Sequence, residues 1–394
     1  MSDLISLYQD YTSEGEAPEH FHWWTFLGGA TAYIGRSITL GLQYGLWNAH
    51  FICLVAPSGI SRKSTALVSV KKLLQQAIEG EEDIDATVPI VIGEPTRASV
   101  LGDLGRATEE YGTTPPAVLI NDEAGNILDD PKFVRLLDSL YTGDDDYDRR
   151  TEHSGRFKLK GHSLTVMTCT TPSWLGGALE QYGFGEGTMG RFIFPFAETR
   201  VRRVPWPVET NERKALAGRI VSGLRELRGL KGTMSVEPKA HKKFSDWYMS
   251  YECTDPTLKA SGWESRVHTH VLKNAMGIAL LRRQEVHMRM ADLEEAFERA
   301  LGVEESLWAV HQNINMNGDI KEVRVIELAI KHAGKDGIRH TPLRSTVGRK
   351  VGPRQFDEMI QHMIKSRVIH VAKRTTKGRP VVIYRHADYG PWNE

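Results

Sequence analysis

The sequence predicts an α/β protein with a helical segment behind its core and a separate basic domain at the C-terminus. Three observations carry this. Short apolar runs at Phe51–Val55, Val88–Ile92, Ala117–Ile120 and in the stretch ending at Thr171 are too short and too rich in β-branched residues for helices. Helical periodicity lies between them, the alternation that builds a parallel sheet. Residues 209–318 then show helical spacing alone, and residues 321–390 hold 16 Lys/Arg against 6 Asp/Glu, a net of +10.

The 394 residues suffice for two or three domains of about 100–200 residues each. A hydrophobic content of 40% and a charged content of 25% are ordinary for a globular chain and exclude disordered and fibrous classes. The 50 basic and 50 acidic residues cancel, so contact with nucleic acid is expected from the basic C-terminal segment rather than from a global field. Cys53, Cys169 and Cys253 are far apart, without metal-ligand spacing. They read as buried thiols in a reducing compartment, which places the chain in a bacterial cytoplasm. The start Met-Ser-Asp has no signal-peptide character, and no apolar run approaches the roughly 18 residues of a membrane span.

Taken in order, residues 1–48 form a helical lead-in. Leu4, Ile5, Leu7 and Tyr8 mark a small helix, and His20–Ile38, dense in Phe21, Trp23, Trp24 and Phe26, reads as a helix packed on the core. A ligand role for its His/Trp neighbours is the second reading. Strand-like pieces follow at Ser37–Gln43 and His50–Val55. Then come Pro57, Ser58, Gly59, Arg62, Lys63, Ser64 and Thr65, and a helix with Leu67, Val70, Leu73, Leu74 and Ile78. Strand, small-residue loop, Lys-Ser, helix is a phosphate-binding layout. Backbone N–H groups and a helix N-terminus cradle phosphate, the lysine reaches the β/γ-phosphates and the hydroxyl holds Mg²⁺. Pro57 and Arg62 stand where that pattern has glycine. A strand–turn–helix with a solvated Arg-Lys pair is the alternative.

Val88–Ile92 is a second core strand, and Pro95 with Thr96 and Ser99 reads as a helix start with proline at the first helical position. Ala117–Ile120 runs into Asn121, Asp122 and Glu123, 59 residues beyond Lys63. Asp122 is expected to organise Mg²⁺ and Glu123 to orient an attacking water. Residues 130–142 form an amphipathic helix, and Gly143–Asp148 an acidic, solvated turn. Arg149–Lys160 reads as a hairpin turning at Ser154-Gly155, with Arg149, Arg150, Arg156, Lys158 and Lys160 as its basic residues. Those residues either face DNA or are ordinary surface charges. The strand 162–171 ends in Thr170 and Thr171, placed to sense a γ-phosphate, and the Gly-rich stretch Gly183–Phe196 passes through Arg191 into an apolar strand.

This set resembles the P-loop ATPases of phages and mobile elements, many known only as a domain of unknown function, and the AAA+ helicase group that includes minichromosome-maintenance proteins. The matching residues are Phe21-His-Trp-Trp24, Pro57-Ser-Gly59 with Arg62-Lys-Ser-Thr65, Ile120-Asn-Asp-Glu-Ala124, Thr171-Pro172 and Gly190-Arg-Phe192, over about residues 18–300. The resemblance implies ATP and Mg²⁺ as cofactors and a homo-oligomeric, hexameric ring with sites shared between subunits. Arg191 would be an arginine finger on the neighbour's γ-phosphate, and the hairpin would face single- or double-stranded DNA in the pore. The implied work is that of a replicative helicase or replication initiator served by a separate primase. Two alternatives stand beside it: a DNA-associated ATPase that loads, packages or defends without unwinding, and a DNA-binding regulator with a degenerate nucleotide site.

Arg200–Pro207 is a Pro-rich connector, and the expected boundaries are 1–48, 49–205, 206–318 and 319–394. Helices are expected at Asn211–Leu227, Lys239–Tyr251, Trp263–Arg283 and Ala291–Val310. This is the helical lid that the resemblance implies, with Arg266 sensing the γ-phosphate or else lying on a solvated face beside Lys273 at i+7. In the C-terminal domain helices are expected at Lys321–Ala333, from Thr341, and from Gly352-Pro353, the last with Phe356, Met359, Ile360, Met363 and Ile364 on one face. Val368–Lys373 and Pro380–Arg385 would form a hairpin. Three helices and a basic hairpin read as a winged helix. Arg349, Lys350, Arg354 and Gln355 would lie near a major groove, and Lys373, Arg374, Lys377 and Arg379 on phosphates. The whole is expected to be an α/β P-loop AAA+-like ATPase core with a helical lid and a C-terminal winged-helix domain.

Overall fold

A computed structural model describes the chain except for residues 1–2, 80, 82–84, 86, 94–95, 143–145, 152–154, 176–185, 255–258, 260–261, 316–319, 348–351, 366–367, 375–380 and 391–394. It divides into two compact units, Met1–His311 and Gln312–Glu394.

The first unit opens with α1 (Leu4–Thr12), α2 (Glu19–Thr31) and β1 (Ile38–Leu40). Then come β2 (Phe51–Val55), α3 (Lys63–Glu79), β3 (Ile90–Ile92), α4 (Arg97–Tyr111), β4 (Ala117–Ile120), α5 (Gly125–Leu128) and α6 (Pro131–Thr142). The hairpin β5 (Asp146–Thr151) and β6 (Gly155–Lys160) precedes β7 (Leu164–Thr170), α7 (Glu186–Met189) and β8 (Phe192–Ile193). Five strands make a parallel sheet in the order β3-β4-β7-β2-β8. Every residue of β2, β4 and β7 is buried, which is why these strands read as unbroken apolar runs rather than alternating ones.

Helix α2 lies against both this sheet and α3. Gly28 and Gly29 allow the approach: a Cβ would stand 2.7 Å from Ile52 Cδ1 at the first and 2.5 Å from Val70 Cγ1 at the second. His22, Trp23 and Trp24 are buried in this packing. Burial pushes the His22 imidazole down to about 4, so it stays neutral in the core. Packing, not ligand binding, accounts for the aromatic cluster.

After β8 the chain forms α8 (Asn211–Leu227), β9 (Gly232–Val236), α9 (Pro238–Ser250), α10 (Val267–Arg283), β10 (His287–Met288) and α11 (Met290–Asn315). The expectation of an all-helical, separate segment is corrected here. Strand β9 pairs in parallel with β1 on one side and β10 on the other. Residues 206–311 therefore share a sheet and a hydrophobic core with the N-terminal lead-in. In β9 only Met234 is buried, so its sequence carried too little apolar signal to read as a strand.

Local corrections follow the same logic. Thr96 caps α4 and forms a capping box with Ser99, so Pro95 precedes the cap instead of occupying the first helical position. Residues 146–148 belong to β5, not to a solvated turn, and Asp146 and Asp148 stand opposite Lys160 and Lys158. That cross-strand charge pairing is what draws them into the ladder. Gly155 pairs with Thr151 as the first residue of β6, so the connection is 152–154, outside the described residues, rather than Ser154-Gly155.

The second unit contains α12 (Ile320–His332), β11 (Ile338–Arg339), α13 (His340–Val347), α14 (Pro353–Lys365), β12 (Ile369–Arg374) and β13 (Val381–His386). Its antiparallel sheet has the order β11-β13-β12, one strand more than the expected hairpin. Ile326, Ile330, Leu343, Phe356, Met359, Ile360 and Met363 fill its own core. No helix among the described residues is long and apolar enough to cross a membrane.

Candidate functional site

Strands β2, β7 and β4 are parallel neighbours, so their C-terminal ends open on one edge of the sheet. The chain leaves β2 for β3 on the far side and later returns to place β8 on the near side. Such a switch in direction leaves a crevice beyond the strand ends. Here it is a cleft of about 530 Å³. The loop after β2 and the start of α3 supply Ser58, Gly59, Arg62, Lys63, Ser64 and Thr65. The ends of β4 and β7 supply Asp122, Glu123, Thr170 and Thr171. Pro57 is not among the lining residues.

The loop keeps its turn despite the missing glycine. Gly59 has φ +72° and Arg62 has φ +54°, so Arg62 adopts the left-handed backbone that glycine would take freely. For a side chain with a Cβ this costs about 1–2 kcal/mol. Glu16 holds the strained residue: its carboxylate accepts from Arg62 Nε at 2.5 Å and from the Val204 N–H at 2.9 Å, and it lies 3.5 Å from Arg200 Nη1. The Val204 N–H, then Arg62, hold the Glu16 carboxyl below the usual range. Lys63, the first residue of α3, folds back: Nζ donates to the carbonyls of Ala56 at 2.7 Å and Pro57 at 3.4 Å. Burial lowers its pKa.

Asp122 and Glu123 are exposed to the cleft. Two neighbours that the sequence reading passed over position them. Asn121 Oδ1 accepts the Glu123 N–H at 2.9 Å, and the Cys169 thiol donates to the Asp122 carbonyl at 2.7 Å. Burial pushes that thiol up to about 11, leaving a packing and donor role. Asn121 was visible as the third polar residue at the strand end; the role of Cys169 depends on strand register. Gly125 and Trp174 complete the wall, and the Thr171 hydroxyl accepts the Trp174 N–H at 3.3 Å. The Ser64 hydroxyl and the Asp122 carboxylate fit Mg²⁺, a hard cation held by oxygen ligands and few carboxylates. No group of three or more His/Cys/Asp/Glu able to hold a metal occurs among the described residues.

A second cleft of about 540 Å³ lies beside the loop, lined by His20, Trp24, Pro195, Phe196 and Arg299. Phe196 bridges Val55, the last residue of β2, and its carbonyl is 3.0 Å from His20 Nε2.

Arg191 and Arg266 are elsewhere. Phe192 pairs with Phe51, so Arg191 sits at the N-terminal end of β2, about 13 Å of strand from the cleft. Its guanidinium is 3.4 Å from Asp138 of α6, and its side chain is only 12% exposed. Arg266 caps α10 beside it: a Cβ on Gly190 would stand 3.2 Å from Arg266 Cγ, and His270 Nε2 lies 2.8 Å from the Gly190 carbonyl. Burial, with Arg266 adding, lowers the Arg191 pKa. The placement of Arg266 over the phosphate end of its own chain is thus corrected, because α10 starts at the opposite edge of the sheet. Lys273, one face down α10, is buried, donates to the Ala49 carbonyl at 2.7 Å and lies 4.2 Å over the Tyr141 ring.

Of the basic residues, Lys158 and Lys160 are exposed on β6, while Arg150 is opposite Arg156 and Arg149 opposite Phe157 in the ladder. In the second unit Arg354 is exposed and pairs with Glu358 at 3.1 Å, Gln355 follows it in α14, and Lys373 and Arg374 end β12. Arg349, Lys350, Lys377 and Arg379 lie outside the described residues.

No protein-family model matches the chain, and no curated protein has a similar sequence.

Proposed function

We propose that this chain is an ATP-hydrolysing motor of the P-loop, AAA+-like kind that acts on DNA. One observation carries the reading: a Lys-Ser helix start and an Asp-Glu strand end face the same cleft at the carboxyl edge of a parallel sheet. Loop N–H groups and the N-terminus of α3 would receive the phosphates. Lys63 would exchange the Ala56 and Pro57 carbonyls for phosphate oxygens. Ser64 and Asp122 would hold Mg²⁺, which neutralises charge developing on the β- and γ-phosphates. Glu123, its backbone fixed by Asn121, would orient the attacking water, and Thr171 would face the γ-phosphate. The His20–Phe196 cleft offers aromatic walls to the base.

Arg191 and Arg266, at the other edge of the sheet, would serve a neighbouring subunit's nucleotide in a hexameric ring, with Arg191 exchanging Asp138 for phosphate. The β5–β6 hairpin and the second unit, read as a winged helix, would contact DNA. The fitting job is that of a replicative helicase or initiator of a phage or mobile element, in the bacterial cytoplasm, with a separate primase. A second reading, a regulator that binds nucleotide weakly, is favoured by Arg62 in the glycine position and by the carbonyls already held by Lys63.

The test is ATP turnover with and without DNA. Turnover stimulated by DNA, lost in Lys63→Ala and Glu123→Gln, is expected. Arg191→Ala should lose turnover while keeping nucleotide binding. An Arg191 variant with full turnover would remove the shared site, and a wild type that binds DNA without turnover would establish the regulator.

A further inference from the structure

Between β8 and α8 the chain runs as a strap, residues 198–210, with no helix or strand. Arg200, Arg202 and Arg203 fall within it, and no acid lies between Glu198 and Glu209. Arg202 and Arg203 are exposed and have no ion-pair or hydrogen-bond partner among the described residues. Trp206 is 84% exposed, and Val201 and Val208 flank it at 62% each. An indole this open is unusual, and its neighbours explain it. Pro205 and Pro207 bracket it, fixing their own φ and holding Val204 and Trp206 in extended backbone, so the ring cannot fold back onto the surface.

The other end of the strap is anchored beside the phosphate-type loop. Val201 N–H donates to the Glu16 carbonyl at 3.1 Å, Val204 N–H to its carboxylate at 2.9 Å, and that same carboxylate grips Arg62. Ser61 Oγ donates to the Ala197 carbonyl at 3.3 Å just before the strap begins.

We propose that the Arg200–Val208 strap is a contact for single-stranded nucleic acid, with Trp206 stacking on an unpaired base and Arg202 and Arg203 on the adjoining phosphates. Cationic side chains along an extended backbone, next to a preset aromatic face, are what sequence-tolerant single-strand binding requires. A duplex hides its base faces and gives Trp206 nothing to stack on. The choice of nucleic acid as occupant rests on the DNA-motor reading. The shared Glu16 carboxylate then makes the strap the segment through which a bound strand would pull on the Arg62 turn.

The test is fluorescence anisotropy of the full chain with a fluorescein-labelled oligothymidylate, without nucleotide, across a salt series. Losing a stacking aromatic weakens binding by about 5- to 150-fold, and Trp206→Ala is expected in that range. Arg202→Ala/Arg203→Ala should flatten the slope of log affinity against log salt by about 1.4, two phosphates at roughly 0.7 each. Both sets of variants should bind a duplex of equal length as the wild type does. Unchanged oligothymidylate binding in both overturns the proposal, as does an equal loss on duplex. A changed oligomer mass by sedimentation with unchanged binding also overturns it and assigns the strap to contacts between copies. Because no ATP is present, this result stands or falls apart from turnover: loss of turnover in Lys63→Ala tests the motor reading separately.

Discussion

Two residues show how local chemistry is bent to the site. Arg62 carries a left-handed backbone without glycine's freedom, and the Glu16 ion pair offsets part of that cost. Replacement by Ala and by Gly removes the ion pair equally, but only Ala keeps the strain. The Gly variant should therefore be more stable than the Ala variant by about 1 kcal/mol in denaturant melts. Equal stabilities would mean that the turn relaxes.

Lys273 is the second. Burial, with Arg266 adding, pushes its ammonium down to about 7 from 10.5. His270 and His50 beside it are pushed down as well and stay neutral, and Tyr141 is pushed up to about 12. Below pH 7 the lysine is charged in both folded and unfolded chains, so the cost of burying charge is present in full. Between pH 7 and 10.5 the unfolded chain holds the proton that the folded chain has shed, so stability rises with pH. Lys273→Met should accordingly melt above the wild type at pH 7, with the gap closing towards pH 10. A gap that is constant with pH would place the titration elsewhere.

At the scale of elements, close approach decides the packing. A Cβ on Gly190 would stand 2.3 Å from the Gly262 carbonyl oxygen, a backbone atom that cannot swing aside. Gly190→Ala should cost about 1–3 kcal/mol by overpacking and displace the start of α10. A wild-type Tm would show that the turn yields. The β5–β6 hairpin presents a different case: its ladder pairs lysines with aspartates near the base and Arg150 with Arg156 towards the connection. Lys158→Glu/Lys160→Glu should leave stability within about 0.5 kcal/mol, since both are exposed. In the motor reading the same change weakens DNA binding, and undiminished binding would remove the hairpin from the DNA contact.

For the whole molecule, the two units have separate cores. A fragment of residues 312–394 should melt cooperatively by circular dichroism, and a fragment of residues 1–315, keeping all of α11, should do the same. A fragment that stays unfolded would show that its core needs the other unit.

The sequence by itself determined the alternation of strands and helices, because buried parallel strands are unbroken apolar runs and their helices are amphipathic. It also determined which residues end β2, β4 and β7, since Lys63, Ser64, Asp122, Glu123 and Thr171 each follow directly on such a run. What it left open was set at long range. Strand β9 exists because β1 and β10, far off in the chain, pair with it. The turn at Arg62 is held by Glu16, and Arg266 lies beside Arg191 because α10 packs at the far edge of the sheet. Periodicity records which face of an element is buried, but not which partner buries it. Only the packed tertiary structure supplies that partner.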